Sequence, residues 1–313
     1  MRYKKLPLAD DDHIALLEKE RGLVIENYDR AKRYLQNAGY FRLTGYMYHL
    51  QKDDGSHVFE QGTTFNHIID TYQFDKKLRY LLAEYLERIE VATRSLVSNA
   101  YSLKHGFYWY MESTHFEKPK IPEGRSTEKV LDVHNYINTI IKEYYEKATE
   151  QYLKNFKYKY TSESCPPSNM AMEILSMGQL AKLLVALKKK DAEVQKVGQA
   201  FKLPIQILSS WFIYLANVRN ICAHHSRLWN KKVTADRFTI PKLNYAFHGN
   251  LPSDFNTTVY GILSIMVRLL NSINPENSLI SKFQQLIKEY PNIDLSQMGF
   301  PSDWMENPAW KEQ

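Results

Sequence analysis

The sequence predicts an all-α fold: a bundle on long central helices, preceded by a small helical segment at the N-terminus. Three observations carry this. Only 12 of the 313 residues are glycine. Apolar residues recur at helical spacing over long stretches. Capping residues stand where such stretches begin, and glycine stands where several of them stop.

Taken in chain order, DDDHIALLEKER (10–21) opens on aspartates suited to cap a helix and stops before Gly22. A second helix is expected from Asn27 to Gly39, with YFRLTGYMYHLQ following it. These short helices read either as a helix-turn-helix or as a packed pair. DDGSHVFEQGTTF (53–65) breaks the helical period with turn residues, as a hairpin or loop would. Residues 1–62 are therefore assigned to the N-terminal segment and 63–313 to the main α domain.

The strongest helix is expected over 74–104. Phe74, Leu78, Leu81, Leu82, Tyr85, Ile89, Ala92 and Leu96 keep its apolar stripe, and it would span about 45 Å. Arg79, Arg88 and Arg94 recur along it beside Glu87 and Glu90. They form a solvated ion-pair face or line a phosphate-binding groove. A loop at 113–127 leads to a helix expected at 128–158. Its end, YYEKATEQYLKNFKYKY, interleaves basic and tyrosine residues. Lys154, Lys157, Tyr158 and Lys159 there offer charge for phosphates and a ring face for bases, or simply a solvated surface. After a break at 161–169, helices are expected in MAMEILSMGQLAKLLVALKKK (170–190), in DAEVQKVGQAF (191–201) and after Pro204. A loop at 243–256 precedes closing helices near 256–273 and 276–289.

Composition narrows the function classes. Lys plus Arg number 41 against 35 acidic residues, a net charge of +6 that leans towards polyanionic partners. Two cysteines make no disulfide framework and fit a reducing compartment. MRYKKLPLADDD lacks the apolar run of a secretory signal, and nowhere do 18 apolar residues follow one another. A soluble, cytoplasmic protein with no membrane partner is expected.

The chemistry concentrates in RNICAHHSRLWN (219–230). On an ideal helix, Trp211, Leu215, Val218, Cys222 and His225 share one side within about 40°. Asn217, Asn220 and His224 share another within about 60°. His225 is thus expected to pack, while His224 stands with two asparagines. Arg219 lies on a flank, about 140° from His224. Arg, Asn and His without a carboxylate pair, a serine nucleophile or a zinc ligand set suit RNA cleavage, because RNA brings its own 2′-hydroxyl nucleophile. Histidine serves as acid or base near neutral pH. Arginine's planar fork matches the charge that builds on the phosphoryl oxygens. The reaction wants both an acid and a base, which a two-fold dimer would supply by pairing two such helices. No metal or cofactor is expected, since no further zinc ligands and no phosphate-cradling Gly-rich loop stand at recognisable spacing.

RNICAHH resembles the R-x4-6-H motif of the HEPN superfamily, all-α proteins of which many are metal-independent RNases. The wider chain resembles the Abi-like (AbiD/AbiF) abortive-infection family. NAGYFRLTGYMYHL, TYQFDKKLRYLLAEYLERIEVATRSL, MEILSMGQLAKLL, RNICAHHSRLWN and MGFPSDWMENPAW appear in that family's order. The resemblance implies a HEPN-type bundle and an antiphage RNase whose action arrests growth. It implies Arg219 and His224 as catalytic residues, Asn220 as their polar neighbour and His225 as a lesser candidate. It further implies a site assembled between two domains, and in some relatives a small structured noncoding RNA as regulator. Two other readings stay open: a non-catalytic nucleic-acid-binding protein, and a helical interaction protein in which the Arg/Asn/His cluster only ties helices together.

Overall fold

The computed structural model describes residues 2, 6–118, 131–241, 247 and 251–310. Twelve α-helices and no sheet are found among them, with strand pairing limited to three isolated bridges. The all-α expectation holds. The chain forms two compact units, Met1–Tyr80 with Phe283–Asp294, and Leu81–Lys282 with Leu295–Gln313. This division falls inside the longest helix, and the first unit also takes a C-terminal stretch.

In the first unit, α1 (Asp10–Ala15) continues to Glu20 as a π-helical turn. Helix α2 (Tyr28–Ala38) starts where Asn27 accepts the Arg30 N–H at 2.9 Å, and it ends at Gly39. Gly39 adopts φ 83°, a left-handed conformation natural to glycine, and the chain turns there into α3 (Tyr40–Thr44). The turn-rich segment is a small hairpin, in which Lys52 N–H donates to Val58 O at 2.8 Å and Glu60 N–H to Leu50 O at 2.9 Å.

Helix α4 (Phe65–His105) runs 41 residues, about 60 Å, and begins nine residues before its strongest periodicity. Its first part belongs to the first unit. There Tyr46 donates to Asp75 at 2.6 Å, and Asp75 also pairs with Arg79 in the core.

In the second unit the remainder of α4 is followed by α5 (Val133–Glu146) and α6 (Gln151–Lys159). The single helix expected at 128–158 is thus two. The break at 147–150 has neither proline nor glycine: Lys147 closes α5, and Glu150 turns extended to begin α6. The helix expected at 170–190 is also two, α7 (Ser168–Ile174) and α8 (Met177–Ala186). Ser176 ends the first by capping the second, with Gln179 reaching back to its N–H at 2.8 Å. Helix α9 (Ala192–Ala200) leads to α10 (Ile205–Ala223), which packs on α8, α9 and α11 (Val259–Ile273).

Trp211, Phe212, Tyr214, Leu215 and Val218 of α10 are fully buried. Helix α11 is buried around almost its whole circumference, as an apolar helix in a bundle core should be. Gly261 is required there, because a Cβ would lie 1.9 Å from the Phe255 carbonyl oxygen. Helix α12 (Leu279–Glu289) and short turns complete the chain. No described helix is long and apolar enough to cross a membrane. The expected loops at 113–127 and 243–256, and the start of the helix expected at 128, lie partly outside the described residues.

Candidate active site

Helix α10 carries the candidate residues on its last turn and its cap. Pro204 starts the helix, and the buried stripe from Trp211 to Cys222 fixes its rotation. The helix stops at Ala223, and His224 is the C-cap (φ −89°, ψ 10°). Ser226 N–H reaches back to Ile221 O at 3.0 Å and His225 N–H to Cys222 O at 3.1 Å, so two orphan carbonyls are satisfied. This is a Schellman closure, with His225 in the left-handed position usually held by glycine (φ 55°). Immediately downstream, Leu228 and Trp229 are buried and pin the chain. The His224–His225 corner is therefore held from both sides.

This geometry corrects one expectation. Ideal helical angles extended past Cys222 put His225 on the packing stripe. The helix ends first, and His225 is exposed. Cys222 does pack as expected, and His224 and Asn220 are exposed. Asn217 is tied to Asp236 by a 3.1 Å hydrogen bond. Asn220 is not so tied. It lines an open groove of about 420 Å³ together with Tyr136, Gln179, Lys182, Asn217 and Asp236.

Arg219 is half-buried, and no hydrogen bond or ion pair engages its guanidinium among the described residues. Its charge is felt by Glu90 of α4, a buried carboxyl. Burial raises Glu90 above the usual carboxylate range, against the opposing pull of Arg94 and Arg219. Sequence reasoning set Glu90 only beside arginines of its own helix. Its field on Arg219 depends on how α4 lies against α10, and no local spacing announces that.

The other arginine candidates fare differently. Arg79 is buried and closed by its ion pair with Asp75, so its expected place on a solvated face or in a phosphate groove is corrected to a core tie. Arg94 is corrected likewise. Its side chain is 15% exposed and binds Glu90 at 2.5 Å, Glu173 at 3.1 Å and the Leu175 carbonyl at 2.7 Å. It ties α4 to the α7–α8 junction. Arg88 is exposed, at 3.4 Å from Glu84. Lys154, Lys157, Tyr158 and Lys159 all lie exposed on α6, with Tyr158 at 89%. No group of three or more His, Cys, Asp or Glu residues among those described could hold a metal ion.

A family model described as Abi-like protein matches residues 33–230, well over half of the chain. The chain belongs to the Abi-like protein family. The matched region holds every candidate named above and closes on Asn230, one residue past the Trp229 anchor. Membership associates this Abi-like protein with abortive-infection defence. No curated protein and no solved structure matches it.

Proposed function

We propose that this Abi-like protein is a metal-independent endoribonuclease of HEPN type, acting in abortive infection. The observation that carries the reading is the guanidinium of Arg219, which makes no hydrogen bond or ion pair among the described residues, five residues before the exposed His224 at the same helix end, with Asn220 also exposed there. Arg79, Arg88 and Arg94 each answer to a carboxylate. Arg219 is felt by Glu90 but makes no hydrogen bond or ion pair among the described residues, which leaves its fork open to a substrate anion.

The 2′-hydroxyl of the substrate attacks the adjacent phosphorus, a new P–O2′ bond forms, and the bond to the 5′-oxygen breaks. One imidazole takes the 2′ proton and another delivers a proton to the leaving oxygen. Arg219 stabilises the negative charge on the phosphoryl oxygens. One chain brings His224 for one of these roles, and a second copy brings the other. The 420 Å³ groove beside Asn220 gives the strand flanking the cleaved bond a place to lie.

Arg219→Ala and His224→Ala are each expected to lower RNA cleavage by about 10²–10³-fold while leaving the melting temperature near that of the parent protein. Cleavage that persists in both variants, or that stops with a chelator, refutes the mechanism. A second reading has support from α6, whose exposed Lys154, Lys157, Tyr158 and Lys159 would grip a small structured noncoding RNA without cutting it. Under that reading RNA is bound intact, and substitutions on α6, not at Arg219, weaken binding.

A further inference from the structure

At the other end of α10 stands a second arginine that pairs with no carboxylate among the described residues. Arg268 of α11 is half-buried, and its Nε is buried with no hydrogen-bond partner. Its two terminal nitrogens reach only Ser272 Oγ at 3.5 Å and the Lys202 carbonyl at 3.4 Å, both at the limit of a hydrogen bond. A half-desolvated cation with such weak partners costs stability. Unlike Arg79 and Arg94, it ties no acidic group among the described residues into the core.

Arg268 lines a cavity of about 310 Å³. Phe247, Phe255, Tyr260 and Trp310 supply aromatic walls, Lys202 a second cation, and Asn271 a side-chain amide. None of the described lining residues is acidic. The walls are built into the core: Phe255 is fully buried, Tyr260 and Trp310 nearly so, and those two rings stack with centroids 5.7 Å apart. A rigid aromatic slot with two cations, and with no anion among its described lining residues, is complementary to a flat apolar ring that carries negative charge. Its volume sits at the small end of ligand cavities, which suits one nucleotide and not a folded RNA.

We propose that this cavity is a binding site for a nucleoside monophosphate, with the phosphate on Arg268 and Lys202 and the base against the aromatic wall. The site is separate from the catalytic turn. Arg268 meets the chain at Lys202, just before α10 begins, whereas His224 caps its far end. Nineteen helical residues between them span about 28 Å. The proposal therefore stands whether or not the protein cleaves RNA.

Calorimetric titration of the full chain with AMP, GMP, CMP and UMP, with inorganic phosphate, and with a 5′-phosphorylated RNA hexamer tests it. At least one mononucleotide is expected to bind with one site per chain, with unchanged affinity in Arg219→Ala. Arg268→Met should weaken that binding by about tenfold or more, and Arg268→Lys by less, because the charge remains and the fork is lost. Binding of the hexamer in place of any free nucleotide, with the same dependence on Arg268, would name an RNA 5′ end as the source of the nucleotide. Removing a poorly partnered charge should also leave the melting temperature of Arg268→Met unchanged or higher. Binding by none of these probes, affinity unaltered by Arg268→Met, or a lowered melting temperature in both Arg268 variants overturns the proposal.

Discussion

His225 holds the left-handed corner of the Schellman closure with a side chain where glycine would meet no steric penalty. The strain is about 1 kcal/mol. His225→Gly keeps that corner while removing the imidazole, and an RNA-cleavage assay on it separates the two histidines. Cleavage kept in that variant would leave His224 as the imidazole that matters; cleavage lost would transfer the role to His225. At this scale the sequence was legible as far as the helix continued. Angular spacing put Cys222 in the core and Asn220 and His224 in solvent, as found. It failed one residue after His224, because periodicity holds no information beyond the cap, and no glycine marked the stop. The arginines of α4 show a different limit. Helical spacing alone allows the i,i+4 pairs Asp75–Arg79 and Glu90–Arg94, but only tertiary packing decided that both arginines would be withdrawn from solvent and that Glu173 would join Arg94.

Among the elements, long amphipathic helices with a capping residue and a terminal glycine were readable, α2 above all. The α7–α8 break was readable too, since Ser176 and Gln179 form a capping box, but the apolar run through MEILSMGQL masks it. Ser176→Ala should cost about 1 kcal/mol, measured by chemical denaturation, and an unchanged midpoint would show that packing alone starts α8. The α5–α6 break carried no comparable signal.

Just after α8, Lys189 donates to the Leu184 carbonyl and lies 3.4 Å from Ser209 Oγ, and burial lowers its pKa to about 8, against a weaker pull from Glu117. Below about pH 8 the amine is charged in both folded and unfolded chains, and the folded form bears the full burial cost. Between there and the ordinary lysine value near 10.4, the unfolded chain holds more protons, so stability rises with pH. Lys189→Met removes this contribution. The variant should be more stable than the parent by about 1–2 kcal/mol at neutral pH. That advantage should shrink as the pH approaches the ordinary lysine value. An advantage that stays constant with pH would show that Lys189 is not the titrating group.

For the whole molecule, the proposed reaction needs a base and an acid acting in one turnover. Helix α10 presents His224 at its cap and the exposed His225 one residue on, and under the proposed mechanism the second proton-transfer group comes from a second copy of the chain. Two copies joined about a two-fold axis would bring two caps and two arginines to one phosphate. Mixing tests this without knowledge of the interface. When parent and His224→Ala chains are combined in equal amounts and allowed to exchange subunits, half of the dimers are mixed. If both imidazoles are required, activity falls to about one quarter of that of the same total amount of parent protein; if each chain acts alone, it falls to about one half. At limiting protein the rate should also climb more steeply than in proportion to concentration, because the active species must assemble. A mixture that keeps half the activity, with a rate strictly proportional to concentration, would place the complete catalytic set within one chain. The missing acid or base would then have to come from beside Arg219 itself, with His225 the first residue to substitute.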